Sequence, residues 1–258
     1  MKAHIVLAHP ERRSFNGLLA DTTMSTMTTA GWHVTLSDLY GLDFDPCESA
    51  RHYTSRADST RFHAQTEQRF NADRGTTPAA VKQEMDRVLA CDLLVVHFPL
   101  WWFGMPAILK GWIDRVFVYG AMYRSAMRYD AGICAGKKML ACVTTGASQD
   151  SCSFNGREGD TRLHMWPLLF PFRYVGFAVL TPEIFHGIGG VAFVEGDEDG
   201  TSGVGRFKQR WAGQLLHLSD RATVPYNRDG DFDDSKRLKA DAAAYSPFVS
   251  HTPVKLWD

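Results

Sequence analysis

Short apolar runs alternate along this chain with stretches whose apolar residues recur at helical spacing. HIVLA (His4 to Ala8) is compact, apolar and partly β-branched; a polar loop, HPERRSFN, then leads into a helix predicted from Gly17 to Ala30 and closed by Gly31. HVTLSD (His33 to Asp38) alternates apolar and polar, whereas DLLVVHF (Asp92 to Phe98) is apolar almost throughout, as a central parallel strand covered on both faces must be. Between them Thr77 is expected to cap a helix that Pro78 opens, with Val81, Met85, Val88 and Leu89 as its apolar stripe.

The same alternation continues. Pro106 precedes a helix carrying Ile108, Leu109, Trp112, Ile113 and Val116 on one face. Met139 to Gly146 reads as a fourth strand, Thr161 to Phe170 as a helix ending among prolines, Phe177 to Thr181 as a fifth strand, and Arg206 to Leu218 as a closing helix. Parallel neighbours need crossovers, so five strands alternating with helices predict an α/β protein with a doubly wound parallel sheet and helices on both faces. Residues 1–218 are expected to form that domain and residues 219–258, polar and rich in Asp, a C-terminal extension or tail. Leu39 to Thr76 reads as one long loop with a functional or interface role.

Composition narrows the function classes. A hydrophobic content of 45% against 22% charged residues is that of a globular chain with a sizeable core. The net charge of −1 offers no electrostatic grip on nucleic acid or anionic lipid, and no apolar stretch reaches the ~20 residues that cross a bilayer. Neither nucleic acid nor membrane insertion is expected, and the location is read as cytoplasmic. Five scattered cysteines without a C-x-x-C pair imply reduced thiols, and no spacing of His and Cys implies a metal.

In open α/β sheets, ligands bind beyond the carboxyl ends of the strands, where the winding reverses. With the flavodoxin-like order 2-1-3-4-5, the loops after strands one, three and four converge, and these are HPERRSFN, PLWWFGMP and TTGASQDSC. The second presents Trp101, Trp102 and Phe103 between Pro99 and Pro106, a stiff aromatic wall suited to a flat ring, with Gly104 expected to permit a backbone angle or a close approach that a side chain would forbid. The first supplies His9, Arg12, Arg13, Ser14, Phe15 and Asn16 before a helix N-terminus, where an anion such as phosphate is favoured. The third, Thr144-Thr145-Gly146-Ala147-Ser148, offers hydroxyls and N–H groups for the polar edge of a ring. GIGGVA (Gly187 to Ala192) matches a loose dinucleotide fingerprint, but no helix follows it and it lies far from the first strand, so a Rossmann dehydrogenase is not expected.

Four segments, KAHIVLAHPERRSFN, GWHVTLSDLYGLDFDP, DLLVVHFPLWWFGMPAILKGWIDRVF and KKMLACVTTGASQDSCSFNGREGD, resemble the flavodoxin-like NAD(P)H:quinone oxidoreductases of the DT-diaphorase type and their bacterial relatives. The similarity reaches to about Leu218, and the third segment is its most specific part. The resemblance implies FAD rather than FMN, with phosphates near His9, Ser14, Phe15 and Asn16 and the ring along Pro99, Leu100, Trp101, Trp102, Phe103, Thr144, Thr145, Gly146, Ala147 and Ile188. It also implies NADH or NADPH as hydride donor, a quinone or similar electrophile as acceptor, ping-pong two-electron transfer in one pocket, and a homodimer with the site at the subunit boundary. Trp102 and Phe103 would hold donor and acceptor against the flavin, and Tyr123 matches a tyrosine that closes the pocket, while Ser125 replaces the next one. His63, in the long segment, falls near a family Gln that reaches the partner's cofactor. Where the best-known members carry a tyrosine and a histidine that stabilise charge on the reduced ring, this chain has Cys152 and Glu158, and an ionised Glu158 would repel that ring. Two other functions fit a flavodoxin-like chain. A regulatory flavoprotein subunit would bind a transporter of the potassium-efflux type, and a one-electron carrier would need the acidic surface that a net charge of −1 does not supply.

Overall fold

The computed structural model describes residues 1–188 and 203–254. Its elements in chain order are β1 (Lys2–Leu7), α1 (Phe15–Thr29), β2 (His33–Asp38), α2 (Ala64–Arg74), α3 (Ala79–Ala90), β3 (Leu93–Pro99), α4 (Ala107–Val116), β4 (Lys138–Thr144), α5 (Thr161–Tyr174), β5 (Ala178–Val179), β6 (Glu183–Phe185) and α6 (Gly203–Leu216). The sheet runs β2-β1-β3-β4-β5, with β6 also on β4, and every pairing is parallel. This is the flavodoxin-like order, and its switch point lies between β1 and β3.

Successive residues of a strand face opposite sides, so β3, buried along its whole length, feeds two cores. Leu94, Val96 and Phe98 meet Val81 and Val88 of α3, Trp112 of α4 and Phe172 of α5. Leu93 and Val95 meet Leu19 of α1 and Trp211 of α6. Two buried polar clusters fix how the helices sit. The Thr23 hydroxyl meets His97 Nε2 at 3.0 Å and accepts the Trp211 indole N–H at 2.8 Å, tying α1, β3 and α6 together. On the other side, Glu84 accepts from Ser37 at 2.8 Å, from Trp112 at 2.9 Å and from Arg87 at 2.6 Å, and His4 joins through Ser37 and Thr35. Burial lowers both histidines, His4 to about 4 and His97 to about 3, so each is neutral in the core.

Four expectations are corrected. Leu39 to Thr76 is not one loop: α2 lies within it, capped by the His63 ring, whose Nδ1 accepts from the Thr66 N–H at 3.3 Å, and ended by Gly75 at φ 69°. Thr77 does not cap α3; Pro78 holds the N-cap position and gives no side-chain bond. Helix α5 continues through Pro167 and Pro171 to Tyr174, because Met165, Leu169 and Phe172 are buried against the core and outweigh the proline cost of ~3 kcal/mol. The fifth strand position is split into β5 and β6, since Pro182, without an N–H, interrupts the ladder between them.

Past α6 the tail folds back. Val224 N–H bonds to Val179 O at 2.8 Å, and the Phe248 ring stacks on Trp166 at 4.9 Å, with Phe170 on the other side of that indole at 4.7 Å.

Candidate functional site

The three loops do converge, and Thr144, the last residue of β4, is where they are latched. Its carbonyl accepts the Leu100 N–H at 2.8 Å, and its hydroxyl accepts from Asn16 Nδ2, also at 2.8 Å. One residue therefore ties the loops after β1, β3 and β4. Asn16 is buried by this contact, and its Oδ1 has no hydrogen-bond partner.

The aromatic loop is a two-residue hairpin. Trp101 N–H donates to Gly104 O at 3.0 Å and Gly104 N–H to Trp101 O at 2.9 Å, so Trp102 and Phe103 occupy the two central positions. Both have positive φ, 51° and 60°. Such turns ordinarily take Asn or Gly there, and a bulky side chain costs ~1–2 kcal/mol per residue. The strain falls on the two aromatics; of the two roles expected for Gly104, the special backbone angle is not taken, since its own φ is not in the left-handed region. What the turn achieves is display: Trp102 is 96% exposed, and Trp101 and Phe103 are also at the surface.

Beside the turn lies a cavity of about 230 Å³, walled by Leu100, Trp102, Phe103, Thr145, Ala147, Cys152, Glu158, Thr161 and His164. Its far wall is the loop of residues 148–160, which is folded on itself: Glu158 N–H donates to Ser151 O at 2.8 Å, and a Cβ at Gly156 would meet Ser151 O at 2.3 Å. Thr161 closes the loop onto α5, its N–H reaching Cys152 O at 3.1 Å. Glu158 pairs with Arg157 at 3.2 Å. Thr145 and Ala147 are held to the strand beyond: Thr145 N–H bonds Phe185 O at 2.9 Å, Ile188 N–H bonds Thr145 O at 3.0 Å, and Gly187 N–H bonds Ala147 O at 2.9 Å. The rest of GIGGVA lies outside the described residues.

At the start of α1, Ser14 caps the helix by accepting from Gly17 N–H at 3.2 Å, so the N–H groups of Phe15 and Asn16 have no acceptor within the helix. The Phe15 ring is buried against Phe185 and Phe207, so any contact it makes with an anion is through its backbone. The Asn16 side chain is likewise turned inward, onto Thr144. Arg12 pairs with Asp21 and stands 3.7 Å from Asp38, and Arg13 pairs with Glu11 in solvent, so neither guanidinium is aimed at a ligand. The His9 ring stands 5.9 Å from that of Trp101, and burial lowers its pKa.

Tyr123 does not reach this cavity within one chain. Its hydroxyl accepts from Gln65 Nε2 at 3.1 Å, and its ring packs edge-on against Tyr174. Ser125 lines a second, larger cavity of about 600 Å³, between the outer face of α5 and the tail. The sequence reading missed Thr161 and His164. Their spacing of three residues on the first turn of a helix, directly after the loop holding Cys152 and Glu158, was the available signal.

The arrangement suits a planar heteroaromatic group with an anionic chain. The exposed aromatic turn offers a face, the loop 144–147 offers polar edge contacts, and the first-turn amides of α1 offer an anion site. The unpartnered Asn16 Oδ1 is an acceptor at the Thr144 latch. No described helix is long and apolar enough to cross a membrane.

A family described as having a flavodoxin-like fold matches residues 1–202. NAD(P)H dehydrogenase (quinone) 1 of Rattus norvegicus is 39% identical over 190 residues, 73% of this chain and 69% of that protein. Ribosyldihydronicotinamide dehydrogenase (quinone) of Pongo abelii is 37% identical over 185 residues, 71% of this chain and 80% of that one. Among solved structures, a protein of Klebsiella pneumoniae assigned as a quinone reductase superposes with a TM-score of 0.84 at 29% identity, over 93% of this chain and 94% of that one. Fold, loop convergence and these similarities agree: the chain belongs to the flavodoxin-like family, among its quinone oxidoreductases.

Proposed function

We propose that the protein is an FAD-dependent NAD(P)H:quinone oxidoreductase that carries a hydride from NADH or NADPH to a quinone or similar electrophile in two half-reactions sharing one pocket. The observation that carries this reading is the latch at Thr144, which gathers an anion site, a polar edge and an exposed, strained aromatic turn into one crevice. When bound, the flavin accepts and returns two electrons as hydride; the protein supplies alignment. The α1 amides of Phe15 and Asn16, with Ser14 and His9 alongside, hold the phosphates. Pro99 to Phe103 and Thr144 to Ala147, with Ile188 behind them, hold the ring. The faces of Trp102 and Phe103, exposed in the single chain, are offered to the donor and acceptor that take turns beside the ring.

The exposed aromatics Trp102 and Phe154 fit a second copy of the chain, and in such a homodimer Tyr123 would close the partner's pocket while the long segment holding His63 approaches it. Residues 1–218 form the catalytic unit and 219–258 an extension of it, in a cytoplasmic protein. The name of the Pongo abelii relative raises dihydronicotinamide riboside as an alternative donor.

The test is to weigh the extracted cofactor by mass spectrometry and to measure menadione turnover with NADH, NADPH and dihydronicotinamide riboside, with no other protein present. FAD and turnover support the proposal. Flavin-loaded protein that shows no turnover with any of the three donors would instead indicate a regulatory binding role, and colourless protein that rejects flavin would sink both.

A further inference from the structure

Three ionisable side chains wall the small cavity, and their chemistry is unequal. The Cys152 thiol and the Glu158 carboxyl exist only as neutral or negative species, whereas His164 alone can be positive. Its position is set by the backbone around it. Asp160 caps α5 by accepting from the Arg162 N–H at 2.9 Å, which puts His164 on the first turn. Gly159, at φ 76°, leaves room for the ring, since a Cβ there would stand 3.1 Å from His164 Nε2. The imidazole lies 5.1 Å from the Phe103 ring with 30° between their planes, so the strained turn and α5 meet at this residue.

The hydrogen bonding fixes the tautomer. His164 Nε2 is 3.2 Å from Glu158 O, and because a carbonyl only accepts, Nε2 carries the proton and Nδ1 is where a proton is gained or lost. The charged groups around the ring are already matched: Glu158 with Arg157, and Asp160 with Arg162, which holds the Asp160 carboxyl below its usual range with His164 adding to that effect. A negative charge appearing in the cavity would therefore find one unmatched partner.

We propose that His164 is a catalytic residue that takes a proton from solvent on Nδ1 when a ring bound in the cavity is reduced, and gives it up when that ring is reoxidised. A hydride brings two electrons and one proton, so the ring gains one negative charge, which the imidazolium neutralises. When the hydride passes to a quinone, His164 releases its proton, and hydride and proton together complete the two-electron reduction. His164 thus takes the role that the family resemblance gave to positions 152 and 158. The inference rests on the flavin reading above.

Holoprotein is titrated spectroscopically for the midpoint potential of its bound flavin between about pH 5 and 8, the span in which histidines change charge. The wild type is expected to show a break in its potential–pH plot. H164Q, which keeps a polar side chain of similar length, and H164L should both lose the break, and at about pH 6 their ratio of reduced to oxidised flavin at fixed potential should fall at least tenfold, ~30 mV for a two-electron couple. G159A, which crowds the imidazole, should move the same way by less. Flavin-loaded H164Q with the wild-type potential and break would overturn the inference, as would loss of the break in E158Q alone. Wild-type protein that takes up no flavin would overturn the flavin reading itself, before any variant is made.

Discussion

Helix α5 borders two cavities, one on each side, and they differ in what made them. The larger, about 600 Å³, lies between Trp166, Phe170 and the tail, and its walls include rings that stack on one another. The smaller, about 230 Å³, lies where three strands end; its walls include strained backbone, and three ionisable groups face it. Volume alone would favour the first. Chemistry favours the second, because strand ends and helix N-termini aim unpaired backbone donors and short loops at one point, while the groove under the folded-back tail lies away from the strand ends.

The largest expected effect tests the buried polar clusters of the core on which both cavities rest. His4 and His97 are lowered by burial to about 4 and about 3, whereas an unfolded histidine titrates near ~6.5. Between those values the unfolded chain binds more protons, so stability rises with pH and is lost as pH falls below the unfolded value. Going from pH 7 to pH 5 should cost about 2 kcal/mol for each histidine. Denaturant unfolding at the two pH values checks this, and H97Q should lose about half of the difference; equal stability at both would contradict it.

Removing the display surface comes next. The double variant W102A/F103A should weaken flavin binding ~100-fold, near 3 kcal/mol by the usual conversion, whereas F248A, which unstacks the tail from Trp166, should change it less than ~3-fold. Fluorescence titration of the apoprotein compares the two, and equal losses would erase the distinction between the cavities. Breaking the latch is a smaller perturbation: T144V keeps the carbonyl bond to Leu100 but strands the Asn16 amide, at a cost of ~1–3 kcal/mol in unfolding free energy. Smallest, and opposite in sign, is W102G. It should relieve left-handed strain and raise stability by ~1 kcal/mol while weakening the ligand, so a variant both less stable and unaltered in binding would show that the strain serves nothing.

Much of the fold was legible in the sequence because its signals are local. The apolar DLLVVHF predicted a doubly covered strand, the Pro106 helix was read with its buried face correct, and alternation predicted the parallel sheet, whose observed order is the flavodoxin-like 2-1-3-4-5 supposed for it. The errors share a cause. α2 has little apolar periodicity to reveal it, and α5 survives two prolines only because its inner face is buried, so in both cases non-local packing overrode the local code. At the site, the loops after β1, β3 and β4 were identified as the converging ones, but the direction of Asn16, the positive φ of Trp102 and Phe103, and the presence of His164 were not.

By itself, then, the sequence determined which segments alternate and which loops must share an edge of the sheet, since period, handedness and crossover rules act on neighbours in the chain. Only the tertiary structure decided which side chains face the crevice. That choice depends on contacts across 128 residues, as between Asn16 and Thr144, and on left-handed backbone angles such as those of Trp102 and Phe103 that no residue pattern records.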